Sequence, residues 1–100
     1  MKSRLNIDPE CIAAFCRKWN VDELAVFGSV LRDDFRPDSD IDVLLSFGPR
    51  GGFTFDNRVE ILRELADIFG REVDAVDKSN IRNPFRRHSI LSSKQVIYAA

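Results

Sequence analysis

The pattern of apolar and polar residues in the first part of the chain predicts a helix followed by a strand. Asp8 followed by Pro9 is typical of a helix start, with the acid as N-cap and the proline at the first helical position. The apolar residues behind this pair recur at helical spacing: Ile12, Phe15, Cys16 and Trp19. Residues 23–27 are mostly apolar and end at Gly28, which predicts a buried strand.

Three later segments carry strand patterns. Residues 39–47 begin with two acids and continue as an apolar run, which predicts a second strand. Residues 72–77 alternate weakly and follow a helical pattern, which predicts a third strand. Residues 96–98 either add a terminal strand or simply pack against the domain.

Helices are expected between these strands. A short one is expected over residues 30–35, and Asn83 followed by Pro84 predicts another short one near the end. A long helix closed by Gly70 is expected from its apolar stripe: Val59, Leu62, Leu65, Ala66 and Phe69. The order predicts an α/β fold with a three- or four-stranded mixed sheet and helices mainly on one face, as one domain over residues 1–100.

The turn after the first strand is a candidate phosphate site. Gly28 permits a sharp turn and a close approach of backbone to a ligand. Ser29 suits the N-cap of the next helix, whose N-terminus presents unpaired N–H groups and partial positive charge. Arg32, one turn in, is placed to add a charge-assisted contact. A Gly-Ser pair is common in loops, so by itself it favours an ordinary strand–turn–helix connection.

A candidate metal site follows, with ten residues separating Ser29 from Asp40. Strand side chains alternate between faces, so Asp40 and Asp42 are expected on one face, about 6–7 Å apart along the strand. Two close carboxylates repel unless water or a cation lies between them. Mg²⁺ binds one or two carboxylates together with substrate phosphates, so the pair predicts a magnesium site. A solvated acidic loop is the alternative, and the apolar run directly behind the pair weakens it.

Asp74 is the candidate for a third acid. Two-metal chemistry needs a group that helps to activate the attacking hydroxyl. Asp74 lies among apolar residues of the third predicted strand, where an acid is unusual unless it faces a cleft. An exposed position on an edge strand explains it equally well.

The segment from residue 27 to residue 43 resembles the minimal nucleotidyltransferases (MNT) of the DNA polymerase β superfamily. It reads Phe-Gly-Ser-Val-Leu-Arg-Asp-Asp-Phe-Arg-Pro-Asp-Ser-Asp-Ile-Asp-Val. The combined Gly-Ser and Asp-x-Asp signature is far more specific than either half, and residues 71–76 resemble the family's third-carboxylate strand. The resemblance extends over residues 24–99. It departs at Val30 and Asp33, where many members carry arginine and glycine; this removes one phosphate contact and leaves metal binding untouched.

The resemblance implies a Mg²⁺-dependent enzyme that transfers a nucleotide monophosphate, AMP from ATP, with one or two metal ions. It implies that the metal and the catalytic step depend on Asp40, Asp42 and Asp74. It implies that the nucleotide lies at Gly28, Ser29 and Arg32. The acceptor it implies is a hydroxyl, a tyrosine, of a HEPN-domain ribonuclease toxin, so that the chain acts as an antitoxin.

Two alternatives stay open. The chain is then either an antitoxin that neutralises its partner by binding alone, or a nucleotidyltransferase for an unrelated protein or small molecule. The intact set of three acids favours catalysis over binding alone.

Composition argues against several other classes. Fifteen basic and sixteen acidic residues give a net charge of −1, so direct nucleic acid binding through bulk charge is not expected. No apolar run of about eighteen residues and no signal peptide is present, so we expect no membrane association and a cytoplasmic protein. Cys11 and Cys16 point to different sides of the first helix, so no disulfide is expected, and no Cys/His cluster predicts a zinc site.

Overall fold

The computed structural model describes residues 7–28 and 40–100, and in these ranges it contains three α-helices and four β-strands. In chain order they are α1 (Pro9–Trp19), β1 (Val21–Phe27), β2 (Ile41–Phe47), α2 (Arg58–Phe69), β3 (Val73–Asp77), α3 (Pro84–Ser93) and β4 (Gln95–Ala99). A 3₁₀ turn, Lys78–Asn80, connects β3 towards α3. The helix predicted over residues 30–35 lies outside the described residues.

The helix ends follow the local sequence. At α1 the Asp8 carboxylate accepts a hydrogen bond from the Glu10 backbone N–H at 2.9 Å. At α3 the Asn83 side chain accepts from the first free N–H groups of the helix. At α2 the C-cap is Gly70, whose φ of 74° is the left-handed conformation that favours glycine. The capping residues that the sequence predicts therefore set these three boundaries.

The sheet has the strand order β3-β2-β1-β4. β1 pairs antiparallel with both β2 and β4, whereas β2 pairs parallel with β3. The prediction of a mixed sheet is confirmed, with four strands because residues 96–98 belong to β4. β2 and β1 are the two central strands, and both ladders of β2 carry hydrogen bonds.

Hydrophobic clusters lie on both faces of the sheet. The larger packs α1 and α2 against one face; its residues include Ile12, Phe15, Leu24, Val26, Ile41, Val43, Leu45, Ile61 and Leu65. The smaller packs α3 and the turn before it against the other face through Ala25, Phe27, Leu44, Ile81 and Ile90. Two helices therefore cover one face, and the second face is not bare, because α3 covers part of it.

Several boundaries differ from the sequence pattern by one or two residues. β2 begins at Ile41, so Asp40 lies directly before the strand rather than inside it. β3 begins at Val73, whose neighbour Glu72 still takes part in pairing because its carbonyl accepts from the Ile41 N–H at 3.0 Å.

Both cysteines are free thiols: Cys11 is exposed, and burial raises the pKa of Cys16 to about 12.

None of the helices in residues 7–28 and 40–100 has the length and apolar character needed to cross a membrane.

The packing of α2 on the sheet predicts a strong contrast between two of its aliphatic residues. Ile61 is fully buried, whereas Val59 is 64% exposed. Ile61→Ala should lower the free energy of unfolding by about 2–5 kcal/mol, because it removes core contacts and leaves a cavity. Val59→Ala should change it by about 0.5 kcal/mol or less. Urea denaturation of the two variants measures both; equal losses would contradict this packing of α2.

Candidate functional site

Three predicted or neighbouring site residues form a row across the sheet. In the strand register Asp42 of β2 lies opposite Phe27 of β1 on one side and opposite Asp74 of β3 on the other. Adjacent strands lie about 4.8 Å apart, and residues in register on a parallel pair point to the same face. The side chains of Asp42 and Asp74 therefore lie next to each other on one face of the sheet. Phe27 lies on the other side of Asp42, away from Asp74.

The burial pattern of β2 fixes which face carries the acids. Ile41 and Val43 are fully buried in the cluster under α1 and α2, and strand side chains alternate. Asp42 therefore points to the opposite face, which it shares with Leu44 beneath α3. A slip of one residue would place the acid in the larger core, so the apolar residues specify the register strongly.

Gly28 and Asp42 lie in close contact although they are far apart in the sequence. Gly28 directly follows β1 and has a φ of 76°, a conformation that favours glycine. A Cβ atom at this position would lie 2.3 Å from Oδ2 of Asp42. The glycine turn and Asp42 of the sequence signature are therefore brought together by the antiparallel pairing of β1 with β2.

The three acids differ in exposure. Asp42 is half-buried, while Asp40, just before β2, and Asp74 are exposed. Ser29 and Arg32, the other two predicted nucleotide-binding residues, lie outside the described residues. Phe27 was not expected from the sequence as part of this row, because its place follows from strand register and no local pattern encodes it.

The donor set suits Mg²⁺ in one particular way. Carboxylate oxygens are the protein ligands that Mg²⁺ prefers. Within residues 7–28 and 40–100, no group of three or more Asp, Glu, His or Cys side chains is close enough to hold a metal by itself. Mg²⁺ commonly uses one or two carboxylates plus water and substrate phosphates, so these residues fit a site that the nucleotide completes.

Known proteins match this chain both in sequence and in fold. A family model described as a nucleotidyltransferase domain matches residues 9–97. A protein of Methanocaldococcus jannaschii named "putative protein adenylyltransferase" is 34% identical over 73 residues, which cover 73% of this chain and 73% of that protein. A solved structure named "putative minimal nucleotidyltransferase" is 28% identical to this chain. Its TM-score is 0.69, and the match covers 87% of this chain and 86% of that one.

Two further solved structures share the fold at lower identity. A toxin–antitoxin structure with AMP-PNP has a TM-score of 0.72 at 18% identity, covering 94% of this chain and 75% of that one. A complex of tri-AMPylated Shewanella oneidensis HEPN toxin with MNT antitoxin has a TM-score of 0.64 at 17% identity, covering 92% and 70%. At these identities the likeness concerns the fold.

The fold and the matched family together define the class of the protein as a nucleotidyltransferase enzyme. The chain belongs to the nucleotidyltransferase domain family. The resemblance to minimal nucleotidyltransferases that the sequence suggests is thereby confirmed.

The contact between Gly28 and Asp42 yields a prediction with a matched control. Gly28 and Gly70 have nearly the same positive φ, but a Cβ at Gly70 would meet no atom within 4 Å. Alanine at either position should cost about 1–3 kcal/mol of stability through backbone strain. Only Gly28→Ala should displace the Asp42 carboxylate, and it should weaken binding of a Mg²⁺–ATP analogue about tenfold or more.

Chemical denaturation and calorimetric titration separate the two effects. Gly70→Ala controls for strain alone and should bind the analogue as the wild type does. Wild-type affinity in Gly28→Ala would show that the carboxylate position next to the turn does not matter for the nucleotide.

Proposed function

We propose that this chain is a Mg²⁺-dependent adenylyltransferase that transfers AMP from ATP to a tyrosine hydroxyl of a HEPN-type ribonuclease toxin and acts as its antitoxin. The observation that carries the proposal is the position of Asp42, in contact with Gly28 and in register with Asp74. One cluster thereby combines a glycine turn and two carboxylates on adjacent strands.

The chain's own residues have separable roles in this proposal. Gly28 leaves the space in which the Asp42 carboxylate lies, and its backbone would approach the triphosphate. Asp42 and Asp74, with Asp40 at the entrance of β2, would hold the metal. Bound Mg²⁺ would supply neutralisation of the phosphate charge and a lower pKa for the acceptor hydroxyl.

The reaction requires an acceptor that approaches from outside. Asp74 is exposed on β3, which forms an edge of the sheet, so a hydroxyl presented by another molecule can reach it. The hydroxyl gives its proton to a nearby carboxylate or to water, and its oxygen attacks the α-phosphorus of ATP. The bond between the α-phosphorus and the oxygen that bridges to the β-phosphorus breaks, and pyrophosphate leaves with that oxygen. Positioning and charge neutralisation supply most of the rate enhancement in such transfers.

The choice of acceptor rests on the similar proteins. The M. jannaschii relative is named for transfer to protein, which supports a protein acceptor. The AMPylated HEPN toxin in complex with an MNT antitoxin supports AMP as the transferred group and a HEPN toxin as partner. The AMP-PNP structure of the same fold supports ATP as the donor.

Antitoxin action by binding alone is the competing proposal. A nucleotidyltransferase for another protein or a small molecule would use the same site with a different acceptor.

Label transfer from α-³²P-ATP to a purified HEPN-type partner tests the catalytic proposal. Asp42→Asn should reduce transfer at least about a hundredfold, because it removes one negative charge at the metal site while keeping the shape of the side chain. Asp67→Asn, which makes the same change at an exposed position on α2, should transfer as the wild type does.

A parallel growth assay with the toxin separates catalysis from binding. If Asp42→Asn binds the partner but no longer protects cells, antitoxin action needs catalysis. Full protection by Asp42→Asn, with no label transferred by the wild type, would overturn the catalytic proposal in favour of binding alone.

A further inference from the structure

A second concave site lies at the other end of β2. A cavity of about 380 Å³ opens where the parallel strands β2 and β3 both end, next to Ser46 and Asp77. Ser46 lies four residues beyond Asp42, which corresponds to about 13 Å along a strand. Leu44 and the cluster beneath α3 lie between the two places, so the cavity is separate from the acidic row.

The charge of this cavity is positive. Lys78 and Arg87 both line it and both are half-buried, and neither forms an ion pair within residues 7–28 and 40–100. Arg87 is held in place because its Nη1 donates to the Lys78 carbonyl at 2.9 Å. Half-buried cations without a carboxylate partner are costly unless water or an anion solvates them.

The acid of the cavity does not cancel this charge by pairing. Oδ1 of Asp77 accepts hydrogen bonds from the backbone N–H of Ser79 at 2.9 Å and from its hydroxyl at 2.8 Å. These bonds direct the carboxylate to the 3₁₀ turn. Two cations and one acid already bonded to the turn leave a net positive cavity.

The loop after β2, which forms one wall of the cavity, is held in place by backbone hydrogen bonds. The Gly48 N–H donates to the Asn20 carbonyl at 2.7 Å, and the Gly51 N–H donates to the Gly48 carbonyl at 3.0 Å. A Cβ at Gly51 would lie only 2.7 Å from the Asn20 oxygen, so the loop packs tightly on the end of α1. The cavity therefore needs little rearrangement to accept a ligand.

Ser46 adds a polar group that the protein leaves unused. Its hydroxyl oxygen is buried and has no hydrogen-bond partner among the described residues. A buried hydroxyl without a hydrogen-bond partner is unfavourable.

We propose that this cavity binds a small phosphate-bearing anion, separately from the nucleotide of the proposed reaction. Ligands of open α/β sheets commonly bind outside the carboxyl ends of parallel strands, which is where the cavity lies. Its volume falls at the lower end of the roughly 300–1,000 Å³ usual for small-molecule sites and leaves room for a phosphate with a modest organic group. Lys78 and Arg87 supply the charge-assisted hydrogen bonds.

Titration of ¹⁵N-labelled protein without divalent metal tests the proposal, with orthophosphate, pyrophosphate and AMP as probes. The amide resonances of Gly48, Gly51 and Ser79 should shift in a saturable manner. Lys78→Gln should weaken the affinity about tenfold, because it removes a cation that makes no hydrogen bond within the described chain. Arg63→Gln, the same kind of change at an exposed position of α2, should leave it unchanged within about twofold.

These outcomes test the cavity independently of the catalytic proposal, because ligand binding at the catalytic site would shift the resonances of Gly28 and Asp42 instead. Equal affinities for the three probes support recognition of the phosphate group itself, and tighter AMP binding supports a mononucleotide. No shift of the Gly48, Gly51 and Ser79 resonances at millimolar probe overturns the proposal. Lys78→Gln with the affinity of Arg63→Gln also overturns it.

Discussion

The register of β2 is the constraint on which the rest of the structure depends. This strand is hydrogen-bonded on both sides, antiparallel to β1 and parallel to β3. Its residues Ile41, Val43 and Leu45 are fully buried against α1 and α2, and Leu44 is buried beneath α3. Because both faces are packed, no other register keeps the apolar residues inside, and Asp42 is held between Phe27 and Asp74 as a consequence.

This constraint also explains how a small domain keeps acids close to its core. Asp42 is half-buried near the start of β2, where the glycine turn after β1 leaves space for its carboxylate. Asp40 and Asp74 stay exposed, so their charges remain hydrated until a ligand arrives. In the proposed function, the phosphates of the nucleotide would complete the metal site at these acids.

The local sequence predicted much of the fold because its signals are local. Asp8, Asn83 and Gly70 mark helix ends through side-chain or backbone capping, and the apolar stripe of α2 needs only its own helix to be recognised. The ends of the strands have weaker local signals. β2 begins at Ile41, directly after Asp40, because there the backbone N–H starts to pair with the Glu72 carbonyl. The place of residues 96–98 in β4 depends on pairing with β1, which no short segment reveals.

The candidate site was predicted in part for the same reason. The signature places Gly28 and Asp42 in one motif, but the contact between them follows from the pairing of β1 with β2. The position of Asp74 beside Asp42 follows from the parallel pairing of β2 with β3, two strands that α2 connects along the chain. The cavity at Lys78 and Arg87 had no sequence signal, because it is assembled from the ends of β2 and β3, the loop at Gly48 and one residue of α3.

The central claim, that nucleotide and metal meet at the row of Phe27, Asp42 and Asp74, is tested most directly by paramagnetic relaxation with Mn²⁺ in place of Mg²⁺. In the presence of a non-hydrolysable ATP analogue, Mn²⁺ should broaden the amide resonances of Gly28, Asp42 and Asp74 most strongly. Those of Gly70 and of Lys78 should change little. Strongest broadening elsewhere, for example along the acidic residues of α2, would contradict the account.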